Sequence, residues 1–355
     1  MFGLISKNRT LIGIDIGSTS VKLIELSRGH AGASSGLRLE HFAIEPLPAN
    51  AVAEKKIVES EAVGETIARA VSRSGTATKR AAVAVAGSAV ITKMIVMPGG
   101  LEDAELESQI ELEADQYIPY PLEEVNLDFE VVGPSETSPG MIDVLLAASR
   151  TENVDDRVNA LETAGLVPAI VDVEAYAMEN ACALLLDEDG EPGATVALAD
   201  IGSATTTLHV LHEGRIVYTR EQNFGGQQLR DEVQRRYGFS REQAAQKILD
   251  GDVAEGYDID VLAPFKEALA QQIGRALQFF YSGTSYNRVD RLVISGGVAS
   301  LPRLDQLVGE RLRIPTTIAN PFARMTLAPT LDAQALMREA PGMMLALGLA
   351  LRGVD

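Results

Sequence analysis

Cysteine, histidine and positive charge are all scarce in this chain. Its 355 residues hold one cysteine and four histidines, and 31 lysines and arginines stand against 50 aspartates and glutamates, a net charge of −19. The lone Cys182 excludes a disulfide framework and points to a reducing compartment. The two nearest histidines, His209 and His212, are three apart at a strand end and so point to opposite faces, which disfavours a metal site. The acid excess argues against nucleic acid, whose phosphates demand stripes of Lys and Arg, and against direct binding to anionic lipid. Long hydrophobic runs are missing too. The longest, residues 343–351, is far short of the roughly 20 residues that span a bilayer and reads as a buried helix. Arg352 alone does not give it the basic face of a membrane-surface helix. Residues 1–8 have no apolar core of signal-peptide length.

What is present is a phrase that occurs twice. It reads Ile14-Asp15-Ile16-Gly17-Ser18-Thr19-Ser20 and again Ala199-Asp200-Ile201-Gly202-Ser203-Ala204-Thr205. Each copy follows an apolar β-branched run and precedes an alternating one, so each predicts strand, tight turn, strand. An Asp at a strand end, then Gly and small hydroxyl residues, suits a phosphate loop. The Gly lets the backbone approach an anion, and successive N–H groups form an anion-binding concavity. The Asp repels phosphate, so Asp15 and Asp200 imply an intervening Mg²⁺. The length predicts about two domains, and two such phrases suggest two similar halves gripping one nucleotide from opposite sides.

Other segments fit this scheme. Strands are expected at 11–16, 21–26 and 37–45, with a helix at 61–74 before Gly75. A strand at 89–97, an acidic amphipathic helix at 102–117 stopped by Pro119 and Pro121, and strands at 125–132 and 142–148 read as a small inserted module. A helix at 155–164, a strand at 168–173 and a helix at 174–186 follow, and the acidic, Gly-containing stretch 187–193 reads as a domain boundary. The second hairpin system covers 195–222. Gly225-Gly226 open a helix at 227–237, Ser240 caps another to 249, and 264–281 is a long helix. A strand at 292–295 runs into Gly296-Gly297-Val298-Ala299-Ser300, a turn able to lie over a flat base or ribose because glycines there do not collide with a ligand. Lys22, seven residues after Asp15 on the returning strand, is placed to reach a β-phosphate. Glu174, where a strand meets a helix, is placed to order a water near Mg²⁺.

These residues resemble the superfamily of actin, sugar kinases and heat-shock chaperones, with a phosphate-1 hairpin at 15–22, a phosphate-2 hairpin at 200–206 and an adenosine motif at 295–300. A finer resemblance covers nearly the whole chain. Residues 4–26, the run Glu113-Ala114-Asp115-Gln116-Tyr117-Ile118-Pro119-Tyr120-Pro121-Leu122-Glu123-Glu124 and the segment Gly348-Leu349-Ala350-Leu351-Arg352 closely resemble the PilM family, actin-like cytoplasmic proteins of bacterial type IV pilus machinery. The Tyr-Ile-Pro-Tyr-Pro stretch is the most specific of these, since generic actin-like ATPases lack it.

The resemblance implies an α/β protein of actin-like ATPase fold, two similar halves around a nucleotide cleft with an FtsA-type inserted subdomain. It implies subdomain 1A at 1–82, 149–190 and 321–355, the inserted subdomain 1C at 83–148, subdomain 2A at 191–222 and 289–320, and subdomain 2B at 223–288. It implies ATP or ADP with Mg²⁺, contacted by Asp15, Gly17, Ser18, Thr19, Ser20, Lys22, Asp200, Gly202, Ser203, Ala204, Thr205, Gly225, Gly226, Gln227, Lys247, Gly296, Gly297, Val298 and Ser300. The metal would be held by Asp15, Asp200 and Glu174 through water, with Glu174 orienting water for at most slow hydrolysis. The implied partner is the N-terminal cytoplasmic peptide of PilN, in a groove with contributions from Tyr117, Ile118 and Tyr120, and further pilus assembly proteins, the assembly ATPase among the candidates. The implied location is cytoplasmic, peripheral on the inner membrane through protein partners rather than by insertion. One departure stands out. The family carries Glu-Glu-Ala and, four residues after the Ala, a nucleotide-facing Lys; here Glu242-Gln243-Ala244 is followed by Lys247 one position early and Ile248 in its place. On a helix that turns the charge by about 100°. Two alternatives stay open: a small-molecule kinase, for which no Asp base is identifiable, and a filament-forming FtsA-like scaffold, although the chain lacks that family's final amphipathic helix.

Overall fold

The computed structural model describes residues 10–29, 36–185 and 193–354. In the first half, β1 (Ile12–Ile16), β2 (Ser20–Arg28) and β3 (Leu37–Pro46) form an antiparallel meander, followed by a small pair, β4 (Val52–Ala53) and β5 (Lys56–Ile57). Helix α1 (Ser60–Ser74) buries Val63, Ile67, Ala70 and Val71 and stops at Gly75, whose φ of 74° is left-handed. β6 (Arg80–Val85) then runs parallel to β1. The inserted module comprises β7 (Val90–Pro98), α2 (Asp103–Ala114), β8 (Val125–Pro134) and β9 (Met141–Arg150). Its sheet order is β7-β9-β8, and Ile95, Met97, Val144 and Leu146 pack with Leu106, Ile110 and Ala114 of α2 into a core of its own. α3 (Thr151–Thr163), β10 (Val167–Val173) and α4 (Glu174–Ala183) return to the first half, β10 pairing parallel to β6.

The second half repeats the plan. β11 (Thr195–Ile201), β12 (Thr206–His212) and β13 (Arg215–Gln222) form a meander; α5 (Gly226–Tyr237), α6 (Arg241–Asp250) and α7 (Ala263–Gly283) follow. β14 (Arg291–Ser295) pairs parallel to β11 and, after α8 (Leu304–Leu312), β15 (Thr316–Ile318) pairs parallel to β14. The sheet orders β10-β6-β1-β2-β3 and β13-β12-β11-β14-β15 are the same pattern, meander then two parallel strands, read from opposite ends. The chain finally returns to the first half: β16 (Thr326–Leu327) extends the first sheet beside β3, and α9 (Ala333–Glu339) leads to α10 (Met344–Leu351).

α10 is apolar because it is enclosed. Gly13 lets it lie on β1, where an added Cβ would sit 2.1 Å from the Ala346 carbonyl oxygen, and Gly348 lets it meet α4, where an added Cβ would sit 1.8 Å from that of Ala177. No helix among the described residues is long and apolar enough to cross a membrane.

The departures from expectation have local causes. α2 ends at Ala114, three residues before Tyr117: Ile118 precedes Pro119 and must leave the helical region, and the amides of Tyr117 and Ile118 close a turn on the Ala114 carbonyl. α3 starts at Thr151 rather than 155, because Asn153 and Arg157 are buried against the inserted module and β6. The pairs of two-residue strands are too short for periodicity to reveal. The expected boundary at 187–193 lies outside the described residues except for Gly193.

Candidate functional site

The two repeated phrases form matching turns. The Gly17 amide donates to the Ser20 carbonyl at 3.0 Å, and the Gly202 amide to that of Thr205 at 2.9 Å. Each turn thereby leaves amides at its tip: those of Ser18, Thr19, Ser203 and Ala204 donate to no acceptor among the described residues. This is the arrangement an anion needs.

The charges behind the turns are compensated. β1–β2 register sets Lys22 directly opposite Asp15, and its Nζ donates to Oδ2 at 2.8 Å. Burial disfavours the Lys22 charge, but Asp15, with Asp200 and Glu339 adding to it, holds the ammonium above its usual range. Burial pushes the Asp200 carboxyl up, against a 2.8 Å hydrogen bond from the Ser295 hydroxyl and the attraction of Lys22. The mutual influence of Asp15, Asp200 and Lys22 puts both phrases at one locus.

A second charged group adjoins it. Glu174 begins α4, and its Oε2 receives the Lys55 Nζ at 2.8 Å; the same Nζ reaches Glu221 Oε2 on β13 at 2.7 Å. Lys55 occupies the β4–β5 turn, where Glu54 and Lys55 have φ of 49° and 62°, and Arg157 fixes that turn by donating to the Lys55 carbonyl at 2.8 Å. One ammonium serves two carboxylates. Burial opposes the Lys55 charge, yet Glu174 and Glu221 together hold its pKa above the usual range. The charge is disfavoured on Glu174: burial raises its carboxyl, and Asp15 and Glu221 add to that against Lys55. Lys55 and Glu221 escape sequence reasoning because neither lies in a motif and their meeting depends on the approach of the two halves.

The glycine sites sort by role. A Cβ on Gly225 would sit 2.4 Å from the Gly202 carbonyl oxygen, and the Gly226 and Gln227 amides donate to the Gly202 and Ser203 carbonyls at 3.0 and 2.8 Å. Their amides are thus spent on seating α5 against the turn. Gly296, at φ 86°, touches Ile201 so closely that a Cβ would sit 2.2 Å from its carbonyl oxygen, whereas a Cβ on Gly297 would meet open space. Gly297 faces Gly342, which also borders Lys22. Val298 packs on Gly226, and the Ser300 hydroxyl donates to the Arg338 carbonyl at 3.0 Å. Lys247 does not join this group. Its Nζ donates to the Asp252 carbonyl at 2.9 Å and lies over the Phe239 ring, the outcome of its one-residue offset on α6.

Of the Tyr-Ile-Pro-Tyr-Pro run, Tyr117 and Tyr120 are 39% and 40% exposed, whereas Ile118 is 6% exposed. Ile118, expected to contribute to a groove, packs in the core of the inserted module with α2. Tyr120 stacks near the Arg150 guanidinium and lines a cavity of about 240 Å³ between the module and the first half. Val90, Ile91 and Val125 supply the module's wall, and Lys55, Asn153 and Arg157 the opposite one.

Residues 13–354 match the model of the type IV pilus assembly protein PilM family. The chain belongs to that family. Among solved structures, the PilM–PilN type IV pilus biogenesis complex is similar with a TM-score of 0.79 and 28% identity, covering 97% of this chain and 98% of that one. The ethanolamine utilization protein EutJ from Carboxydothermus hydrogenoformans is similar with a TM-score of 0.58 and 16% identity, covering 96% and 89%. The fold is the actin-like ATPase fold. In this PilM-family member the inserted module and the cavity beside it stand next to the Lys55 turn, whose ammonium bonds Glu174 and Glu221.

Proposed function

We propose that this protein is an ATP-binding scaffold of type IV pilus assembly that receives the cytoplasmic N-terminal peptide of PilN and links cytoplasmic assembly components to the inner-membrane complex. The observation that carries this reading is PilM-family membership across residues 13–354, joined to the cavity beside Tyr120; the similar solved PilM is in complex with PilN. An extended peptide suits a site with an apolar wall from Ile91 and Val125 and a polar one from Asn153 and Arg157. Held this way, the protein sits at the cytoplasmic face of the inner membrane through its partner.

The residues between the halves fit a nucleoside phosphate: free amides on two facing turns, Lys22 behind one of them, and Gly297 open to solvent. Mg²⁺ would neutralise phosphate charge there, and Asp15, Asp200 and Glu174 are the residues to hold its water shell. No three ligating side chains among the described residues converge as a direct cage. The nucleotide acts chiefly as a conformational ligand. Glu174, the candidate to orient water, is engaged by Lys55.

Titration calorimetry with a synthetic PilN N-terminal peptide tests the proposal. One-to-one binding is expected, weakened about fivefold or more by Tyr120→Ala, with an affinity that changes when Mg²⁺-ATP is present; any such coupling must be reciprocal. Absence of peptide binding both with and without nucleotide overturns it.

A further inference from the structure

The two halves share a turn but not a cation. In the first half, register sets Lys22 opposite Asp15; in the second, Thr207 stands opposite Asp200. Lys247 is committed to Asp252. A positive group nevertheless reaches the second turn, from α5. Arg230 Nη2 donates to the Ser203 hydroxyl at 3.0 Å, and its Nε is buried without a hydrogen-bond partner among the described residues.

We propose that Arg230 is the phosphate-binding cation of the second half, contacting the phosphate chain of a bound nucleotide beside Ser203 and Ala204. This rests on the nucleotide reading above. The Arg230 guanidinium binds a neutral hydroxyl rather than a carboxylate, although the chain carries 50 acidic side chains. The Ser203 and Ala204 amides beside it have no acceptor among the described residues. Burial and then Arg241, at the start of α6, depress the Arg230 pKa, with Asp231 opposing them, and the Arg241 side chain makes no hydrogen bond or ion pair among the described residues. Donors left over once the Ser203 hydroxyl is paired, with two like charges near one another, are stabilised by an anion. A planar guanidinium with five N–H groups spares donors for phosphate oxygens while keeping Ser203. Seating of α5 by Gly225 and Gly226 brings the side chain to the turn at a fixed height.

The test is calorimetric binding of Mg²⁺-ATP, and of adenosine, to the wild type and to Arg230→Ala, Arg230→Lys and Lys247→Ala, with thermal melts to confirm folding. Arg230→Ala is expected to weaken Mg²⁺-ATP roughly tenfold or more, the size of a lost charge-assisted hydrogen bond. Arg230→Lys should recover part of that loss, adenosine should change little, and Lys247→Ala should bind like the wild type. Unchanged Mg²⁺-ATP affinity in Arg230→Ala overturns the inference, as does an equal loss for adenosine. Wild type that binds no nucleotide overturns the underlying reading instead. If Arg230→Ala does not fold, Arg230→Lys decides: a Mg²⁺-ATP affinity several-fold below wild type with adenosine unchanged upholds the contact, and an affinity equal to wild type overturns it.

Discussion

A neutral imidazole in the second sheet ties the stability of this protein to pH. Burial holds the His209 pKa down to about 4 from 6.5, with Lys55 adding to the effect, and its ring accepts or donates a 3.0 Å contact with the Thr219 hydroxyl. The unfolded chain takes the proton first. The stabilisation is therefore complete above pH 6.5 and is lost as pH falls toward 4. Over that window it amounts to about 3 kcal/mol. The urea midpoint is expected to drop between these pH values, and His209→Gln, which cannot charge, should flatten that part of the profile; identical pH dependence in both proteins would contradict the assignment. At this scale the sequence was legible where spacing repeats. Asp15, Gly17, Asp200 and Gly202 announce themselves because the same polypeptide problem is solved twice. Lys55, Glu221 and Arg230 carry no such mark, since their roles arise from surfaces that meet only after folding.

Elements were legible in proportion to their length and periodicity. The hairpins, α1, α7 and the strand–helix–strand–strand order of the inserted module follow from apolar spacing and proline stops. The two-residue strands β4, β5 and β16 have no period to read, and Lys55 lies in the turn between the first two. The pairing of α10 with β1 and α4 was equally hidden: the run at 343–351 reads as buried, but what buries it depends on two glycines, Gly13 and Gly348. Gly348→Ala is expected to cost about 3 kcal/mol through overpacking against the Ala177 backbone, seen as a lower urea midpoint. Gly283→Ala, where a Cβ meets nothing within 4 Å, is the control and should be neutral or mildly stabilising. Similar midpoints for the two variants would show that α10 does not sit so close.

Across the whole molecule, Lys55 joins the halves. It lies in the first half, and Glu221, one of its two acceptors, lies in the second. Glu179 on α4 makes a parallel link, accepting from the Ile216 amide at 2.6 Å and from Arg215 at 3.1 Å. Lys55→Met leaves Glu174 and Glu221 facing each other without a counter-charge, a loss of about 2 kcal/mol for these partly screened groups. Faster amide exchange at the start of α4 and along β13 is the expected readout. Adding Glu221→Gln should restore part of the protection, and no change in exchange in the single variant would show that Lys55 bears no such load.

The position of α10 also bears on the order in which the halves become complete. A ribosome releases β1 early, with Ile12 and Ile14 directed to the core beneath α1 and α3, but the helix that covers its other face at Gly13 is made after the whole of the second half. The second half runs unbroken in sequence from β11 to β15. Since domains fold as units as they emerge, the half that is synthesised later has all its strands first, and the half that precedes it must wait, one sheet face bare, for residues 344–351 to arrive.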